Sequence, residues 1–503
     1  MTFQTEKSAY GAKRGSAYYL TEMIKIISNG TIKNVTAEEG DSLLKVLQKN
    51  GYEISANCGG FGKCGKCVVK ITYNGITETV KACSFIVKNG MTVELSYSSS
   101  ADKADVLPPL KTDGRNGVGL ALDIGTTTLA FYFVSLKTGK PIEILSALNP
   151  QRTFGADVIS RISYADENGV EEMNKCLKTK VNEVIQDFLR RTSTDKISVM
   201  TVTGNTIMLH VFAGEQISSF GRYPFKPVFL NKTEHTGIAL GYDAEKVICL
   251  PSFESFVGAD IVCDAVATGI ARENAILADL GTNGEILMSC NGKLYVTSVA
   301  AGPAFEGADI ECGMGGISGA IRSVKKTNGG IEIETVGNSA PKGICGAGLI
   351  DAAAYMYSEG VIDETGAFLR EKGRFYLTDE IYVSAMDVRK FQLAKSAVRS
   401  GIDVMLGIAE RENTEINALY ICGGLGIHIN EDSAFRVGLI PKSLKGKVIA
   451  SGNTAGIGAV ACMLSEDVMR EAERTAEKKT SVDLASDVDF INLFAENMTF
   501  ENE

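Results

Sequence analysis

The chain has 503 residues, 45 % of them hydrophobic and 22 % charged, the profile of an ordinary soluble protein of two to four domains. Its net charge of −10 argues against whole-chain attraction to nucleic acid or anionic membrane, and no run of eighteen apolar residues is present to span a bilayer. Twelve cysteines without a secretory signal point to a reducing, cytoplasmic setting rather than a disulfide scaffold.

Residues 1–22 carry Lys7, Lys13 and Arg14 and no apolar h-region, so they are expected to be a tail. Residues 23–97 read as a β-rich module. The runs 23–27 and 31–35 flank the turn pair Asn29-Gly30, and 67–73 and 76–80 flank Asn74-Gly75, two hairpin signals. Between them Asp41 is expected to cap a helix carrying Leu43, Leu44, Val46 and Leu47, which Gly51 closes. A last strand is expected over 91–97. The stretch Cys58-Gly-Gly-Phe-Gly-Lys-Cys64-Gly-Lys-Cys67, with Cys83 soon after, places four thiols on a glycine-rich loop. Glycine lets such a loop curl so that backbone N–H groups face sulfide. Zinc sites favour two separated cysteine pairs, and Cys83 has no partner cysteine nearby.

This module resembles the β-grasp ferredoxins, with five residues in the first cysteine gap as in the vertebrate type and a shorter final gap of fifteen. The resemblance implies that Cys58, Cys64, Cys67 and Cys83 ligate one 2Fe–2S cluster, a one-electron centre at about −400 mV in the plant type. Lys63, Lys66, Lys70 and Lys81 surround the loop. They read either as solvated surface lysines or as a docking patch for an acidic donor such as a ferredoxin or flavodoxin. The other eight cysteines are scattered and read mostly as small buried hydrophobes, with Cys312, Cys345 and Cys422 in glycine-rich loops.

Residues 98–117 are polar, carry Pro108-Pro109 and Asp113-Gly114, and are expected to be a flexible linker. Beyond them the apolar run Val118–Leu122 ends in Asp123-Ile-Gly125-Thr126-Thr127-Thr128 and a second strand. The pattern returns as Ala275–Ala278, then Asp279-Leu-Gly281-Thr282-Asn283-Gly284-Glu285 and another strand. Glycine in such a turn lets phosphate approach the backbone N–H groups, and a carboxylate at the strand end can hold Mg²⁺ through its waters. The duplicated hairpin resembles the two phosphate loops of the actin, sugar kinase and heat-shock chaperone superfamily. That implies an α/β fold with two ribonuclease-H-like subdomains, about 118–273 and 274–465, within an ATPase domain over 118–480. Gly423-Gly424-Leu-Gly426 then reads as the adenosine loop, Ser451–Gly458 as a last connecting helix packed through small residues, and 481–503 as a C-terminal tail.

Shorter stretches accompany these: Asn149-Pro150-Gln151, Phe154–Arg161, Thr203–Met208, Ser255–Asp260, Ala301–Gly307 and Gly343–Gly348. Together with the cysteine module they resemble the reductive activators of corrinoid-dependent enzymes, ATP-dependent iron–sulfur proteins that reduce Co(II) corrinoid to Co(I). The resemblance implies a 2Fe–2S cluster, ATP with Mg²⁺, a corrinoid protein of a methyltransferase system as partner, and a low-potential donor. Asp123 and Asp279 would hold metal waters, and Glu285 and Gln151 would orient the attacking water. Gly125, Thr126, Thr127, Thr128, Gly281, Thr282, Asn283, Gly423, Gly424 and Gly426 would hold the nucleotide. One departure is expected: Asp123 follows the linker almost at once, so the middle domain of larger members reads as missing, which leaves homodimer contacts open. A kinase of the same fold using Asp157 or Asp260, an activator of another radical enzyme, and a carrier with a relic ATPase fold are the alternatives. His210 reads as a packed histidine rather than a ligand.

Overall fold

The computed structural model describes residues 21–500 apart from 29–30, 39, 51, 53, 55–66, 96–106, 156, 328–329, 371–372 and 427. The chain divides into two compact units, an N-terminal one reaching to about residue 97 and a larger one that follows.

In the first unit, strands β1 (Thr21–Ser28) and β2 (Thr31–Glu38) form one antiparallel pair, and β3 (Val68–Tyr73) and β4 (Ile76–Lys81) another. Asn74 and Gly75 turn the second pair with φ of 50° and 77°, the conformation a two-residue hairpin loop requires. Strand β5 (Thr92–Leu95) runs parallel to β1 and antiparallel to β3, giving the sheet order β2-β1-β5-β3-β4 of a β-grasp. Helix α1 (Leu43–Lys49) lies against this sheet and buries Leu43, Leu44, Val46 and Leu47, the set its periodicity marked. Its cap is Ser42, whose hydroxyl accepts from Lys45 N. Asp41, expected in that role, instead accepts from Glu38 N and the Lys45 ammonium.

The second unit contains two similar halves. In the first, β6 (Val118–Ile124), β7 (Thr128–Ser135) and β8 (Pro141–Leu148) form an antiparallel meander. Helices α2 (Val158–Asn168) and α3 (Glu171–Thr192) follow, then β9 (Ile197–Gly204), α4 (Thr206–Ala213), β10 (Thr233–Thr236), α5 (Gly237–Leu240), β11 (Ala244–Cys249) and α6 (Ala259–Thr268). The sheet order is β10-β11-β9-β6-β7-β8, with β9 and β11 parallel to β6. Met173, Leu177, Val181, Ile185 and Phe188 recur at near-helical spacing along α3 and are fully buried, Phe188 stacking on Phe133 at 3.9 Å between centroids. Each such side chain contributes about 1.5–3 kcal/mol of burial.

The second half repeats the plan. Strands β12 (Ala275–Leu280), β13 (Gly284–Cys290) and β14 (Lys293–Val299) form the meander. An insertion follows: β15 (Ala320–Thr327), β16 (Gly330–Thr335), β17 (Gly343–Ile344), α7 (Gly346–Ser358), β18 (Arg374–Tyr376) and β19 (Tyr382–Ser384). Then come α8 (Ala385–Arg411), β20 (Ala418–Cys422), α9 (Gly423–Gly426), α10 (Glu431–Arg436), β21 (Val448–Gly452), α11 (Thr454–Leu464), α12 (Glu466–Glu477), β22 (Lys479–Ser481) and α13 (Val488–Glu496). The order β21-β20-β12-β13-β14-β22 again flanks a meander with parallel strands. Between the halves α6 packs on α11 through small residues: a Cβ at Gly458 would lie 2.1 Å from Cys263 O.

Two expectations about the connecting segments change. Residues 107–117, expected to be linker, are pinned to this unit. Leu107 enters its core, Asp113 N donates to Leu464 O, Thr112 Oγ1 to Leu136 O and Glu466 N to Asp113. Residues 481–500, expected to be tail, carry α13 and dock on α8. Lys395, fully buried, donates to Asn497 O and Thr499 O at 2.7 and 2.6 Å, and Phe500 is buried over Tyr357.

Candidate functional site

The two Asp-x-Gly-Thr turns occupy equivalent positions. Asp123 ends β6 opposite Ala130, and Asp279 ends β12 opposite Glu285. Beside each lies a parallel strand whose end supplies a glycine. Gly204 ends β9 next to Ile124, and a Cβ there would lie 2.7 Å from Ile124 O. Gly423 follows β20, in register with Asp279 through Cys422, at φ 79°; a Cβ there would lie 2.3 Å from Asp279 Oδ1. A side chain at either position would displace the strand end it abuts. Gly424 is exposed with no atom within 4 Å of a built Cβ, open space of the kind a base or ribose needs.

The first turn is braced from behind. Asn149 Nδ2 donates to Gly125 O at 2.9 Å, and Arg161 Nη2 donates to Thr126 O at 2.5 Å. Arg161 is fully buried. Its other nitrogens meet Gly155 O and Met208 Sδ, and burial lowers its pKa to about 10. Gln151 does not reach the carboxylates. It is fully buried, with its side-chain oxygen on Asn149 Nδ2 and its amide on Met173 O, so it supports the turn and cannot orient a water.

An acidic cluster fills the space behind the turns. Glu285 is buried and accepts from Asn205 Nδ2 at 3.1 Å, while Asn453 Nδ2 donates to Asp123 Oδ2 at 3.2 Å and to Tyr132 OH. On α6, Asp264 is fully buried and accepts from Thr454 Oγ1 at 2.6 Å. Its other oxygen meets no N–H or O–H donor among the described residues, yet it lies within hydrogen-bonding reach of the Asp279 carboxyl. Two carboxyls can bond only if one is protonated, and burial raises the Asp264 pKa well above its ordinary value, with Asp279 adding to it. Burial and then Glu306 push Asp279 up to about 6; burial and then Asp279 and Asp123 push Asp260 up to about 8. Glu285 is raised by burial, Asp260 and Asp279. Carboxyls raised by burial and by one another make a setting that Mg²⁺ suits, since a cation favours their charged forms. Among the described residues no three carboxylate, thiol or imidazole side chains converge for direct ligation.

Thr282 is buried, with its Oγ1 lacking a partner among the described residues, and its N–H donates to Glu306 Oε1 at 2.8 Å. Thr127 Oγ1 donates to Glu306 Oε2 at 2.5 Å, so one carboxylate joins both turns. Gly125, Gly281 and Asn283 lie in the turns themselves, Thr128 is exposed at the start of β7, and Gly426 is buried after β20. Sequence reasoning gave no role to Arg161, Glu306, Asn453 or Asp264. The available signal was a charged or amide residue inside a small-residue stretch. Asp157 caps α2 at Ser160 N, which occupies the carboxylate a kinase reading would use.

His210 is fully buried. Its Nδ1 meets Thr206 O at 2.7 Å, Val228 N and Phe229 N donate to its Nε2, and burial lowers its pKa. It anchors a loop as a neutral packed ring.

In the N-terminal unit, Cys67 is 1 % exposed at the start of β3 and Cys83 is half-buried beyond β4. The Cys83 N–H donates to Cys67 Sγ at 3.4 Å, and an amide aimed at sulfur suits a cluster thiolate. Cys58, Cys64, Lys63 and Lys66 lie outside the described residues. Lys70 and Lys81 are exposed, Lys70 pairing with Glu94 at 2.8 Å. Cys345 and Cys422 are buried with pKa values raised by burial, unlike reactive thiols, while Cys312 is half-buried. No helix among the described residues is long and apolar enough to cross a membrane.

Comparison with known proteins matches residues 21–97 to a 2Fe–2S iron–sulfur cluster binding domain, 118–273 to the RACo middle region, and 273–503 to the C-terminal domain of RACo, the ASKHA domain. The middle region expected to be missing is therefore present, as the first of the two similar halves. The corrinoid activation enzyme RamQ of Eubacterium limosum is 28 % identical, covering 90 % of this chain and 94 % of its own. The reductase of the Co(II) methylated amine-specific corrinoid protein of Methanosarcina barkeri is 23 % identical over 72 % of this chain. A solved structure, a reductive activator for corrinoid, iron–sulfur protein, superposes with a TM-score of 0.70 at 25 % identity over 95 % of this chain and 98 % of its own.

Proposed function

The chain belongs to the family of reductive activators of corrinoid proteins, and from that premise we propose that it reduces an inactive Co(II) corrinoid protein to Co(I), drawing on ATP and a 2Fe–2S centre. The observation that carries the reading is the convergence of two Asp-x-Gly-Thr turns on one point in a chain that also contains a ferredoxin-type domain. The cluster supplies single electrons at low potential, and each 100 mV of uphill transfer costs about 2.3 kcal/mol per electron. Nucleotide binding can offset that cost only through a difference in its affinity for two states.

The chain's own residues would divide the work. Asp123 and Asp279 hold the waters of Mg²⁺, with Asn453 fixing the Asp123 carboxylate. Thr126, Thr127, Thr282 and Asn283 offer hydroxyl, amide and backbone donors to phosphate. Asn149, Gln151 and Arg161 keep the first turn in shape. Glu285 borders the metal-water site. Gly424 leaves room for adenosine, while Gly423 and Gly426 let the loop pack closely on Asp279 and on the end of β20. Cys67 and Cys83, with Cys58 and Cys64, hold the cluster, and Lys70 and Lys81 present positive charge to an acidic donor such as a ferredoxin or flavodoxin.

The test mixes the protein, a low-potential donor and a Co(II) corrinoid protein, with and without Mg·ATP, and follows Co(I) absorbance. ATP-dependent growth of the Co(I) band is expected. Asp279→Ala should abolish it while leaving the visible spectrum of the cluster intact. Equal reduction without ATP would refute the ATP-driven reading, and no reduction of any methyltransferase corrinoid partner would refute the substrate assignment.

A further inference from the structure

Glu306 ends a single 3₁₀ turn, Pro303–Glu306, flanked by Gly302 and Gly307 at φ 76° and 70°. Its two carboxylate oxygens take donors from both halves: Thr127 Oγ1 from the turn after β6 and Thr282 N–H from the turn after β12. These are the groups that the ATPase reading assigns to phosphate. The fit is close. A Cβ on Gly281 would lie 3.2 Å from Glu306 Oε1, so a side chain there would crowd the carboxylate.

Two further observations describe what the turns are built to hold. The buried Thr282 Oγ1 finds no acceptor or donor among the described residues, so the donor set exceeds what one carboxylate satisfies. Beneath the first turn, the buried Arg161 guanidinium bonds to two carbonyls and a thioether and forms no ion pair among the described residues. A buried cation bonded only to neutral groups, which feels the Asp157 and Glu306 carboxyl groups without touching them, favours an anion placed across the turn. A carboxylate supplies one charge and two oxygens. A polyphosphate supplies more of both.

We propose that Glu306 is a tethered anion that occupies the phosphate site of the nucleotide-free protein, joins its two halves there, and is displaced when the phosphates of a nucleotide arrive. The inference rests on the ATPase reading and adds a competitor inside the site. Two consequences follow. Phosphate without a cation meets the Glu306 and Asp279 carboxylates directly, so the carboxylate opposes Mg-free polyphosphate more strongly than Mg·ATP. Displacement also moves a segment with connections. Phe305, the neighbouring residue, is buried edge-on against Phe391 of α8, and a Cβ at Gly346, the first residue of α7, would lie 2.0 Å from Phe305 O. Nucleotide occupancy would therefore be felt at the start of α7 and along α8.

The experiment measures binding of inorganic tripolyphosphate and of ATP, each with EDTA and with Mg²⁺, to the full chain and to Glu306→Gln by calorimetry. Gln keeps the shape and removes the charge. The expected result is a Kd for Mg-free tripolyphosphate lowered tenfold or more in the variant, with a smaller change for Mg·ATP. If Glu306→Gln folds poorly, Glu306→Ser, which shortens the tether, is read in the same way against its thermal midpoint. Equal Kd values in both proteins would overturn the tethered-anion role while leaving the ATPase reading standing. Weaker binding by the variant would also overturn it and make Glu306 a ligand holder. No binding of ATP or tripolyphosphate by either protein would overturn it together with the ATPase reading.

Discussion

Gly423→Ala separates the local geometry at Asp279 from general stability. At φ 79° the added methyl would sit 2.3 Å from Asp279 Oδ1, where Cβ atoms do not approach within 3.0 Å, so the carboxylate or the loop must shift by about 0.7 Å. The left-handed backbone costs alanine about 1–2 kcal/mol. The lost freedom of the unfolded chain returns about 0.4–1 kcal/mol. The net loss of stability is then on the order of 1 kcal/mol, or about 1–2 °C in Tm for a unit that spans 98–503. A displacement approaching 1 Å in a positioned group costs about 100-fold in rate, equivalent to about 2.7 kcal/mol of barrier. Turnover should therefore fall far more than stability does. The assay pairs steady-state ATP hydrolysis with thermal unfolding, and Gly424→Ala serves as the companion. With nothing within 4 Å of its Cβ, that variant should fold unchanged, and any loss it shows must come from nucleotide affinity. Unaltered turnover in a folded Gly423→Ala protein would refute the placement of Asp279 at the nucleotide.

Lys395→Met keeps a buried stem but removes two ammonium hydrogen bonds to Asn497 O and Thr499 O. A loss of about 2–3 kcal/mol and faster proteolysis within 488–500 are expected, and wild-type protease resistance would contradict the docking role. His210 has a pKa lowered by burial, so the stability it contributes is present above about pH 6.5 and declines as pH falls towards its folded value. Protonation would turn Nε2 into a donor facing the Val228 and Phe229 N–H groups. Hydrogen exchange at those two amides, corrected for intrinsic rates, should accelerate between pH 7.5 and 5.5, and pH-independent protection would count against the neutral tautomer.

The features legible in the sequence are those written locally. The hairpins around Asn74-Gly75 and the two Asp-x-Gly-Thr turns come from alternating apolar runs broken by turn residues, and the backbone needs little else to form them. Helix α1 is marked by its apolar periodicity, but its cap lies one residue on because Ser42 and Asp41 can both serve and the Asp41 carboxylate is taken by Glu38 N and the Lys45 ammonium. What the sequence hid depends on distant chain. Glu306 meets Thr127 across 179 positions, and Asp264 meets Thr454 across 190. Neither residue differs in composition from an acidic side chain on a solvated face. The linker expectation fails past Leu107 for the same reason: its polar sequence satisfies hydrogen bonds on α11, on α12 and at Leu136 just beyond β7, which a local reading cannot see. The middle region has no local signature of its own in the sequence, because its strand, turn and strand pattern is that of the first half of the ATPase fold.

Asp264 tests whether the acidic cluster is held neutral at the crossing of α6 and α11. Its pKa is raised well above its ordinary value of 3.8, so between that value and the folded one the native protein holds a proton that the unfolded chain has released. Stability on this account is fully present below about pH 3.9 and falls as pH rises through the window. One fully linked proton corresponds to about 1.4 kcal/mol per pH unit. Asp264→Asn keeps an acceptor for Thr454 Oγ1 and presents an amide donor towards Asp279 without titrating. Across pH 5.5 to 7.5 the wild type should therefore lose stability relative to the variant as pH rises. The other raised carboxyls, Asp260, Asp279 and Glu285, are present in both proteins, so the difference in denaturant stability between the two reports on the Asp264 proton. Asp264→Ala leaves both partners unbonded and should cost about 1–3 kcal/mol for each orphaned group. A parallel pH profile for wild type and Asp264→Asn would mean that Asp264 is charged. The proton between α6 and β12 would then have to be replaced by a cation, and Asp264 would join Asp123 and Asp279 as a candidate for holding metal waters.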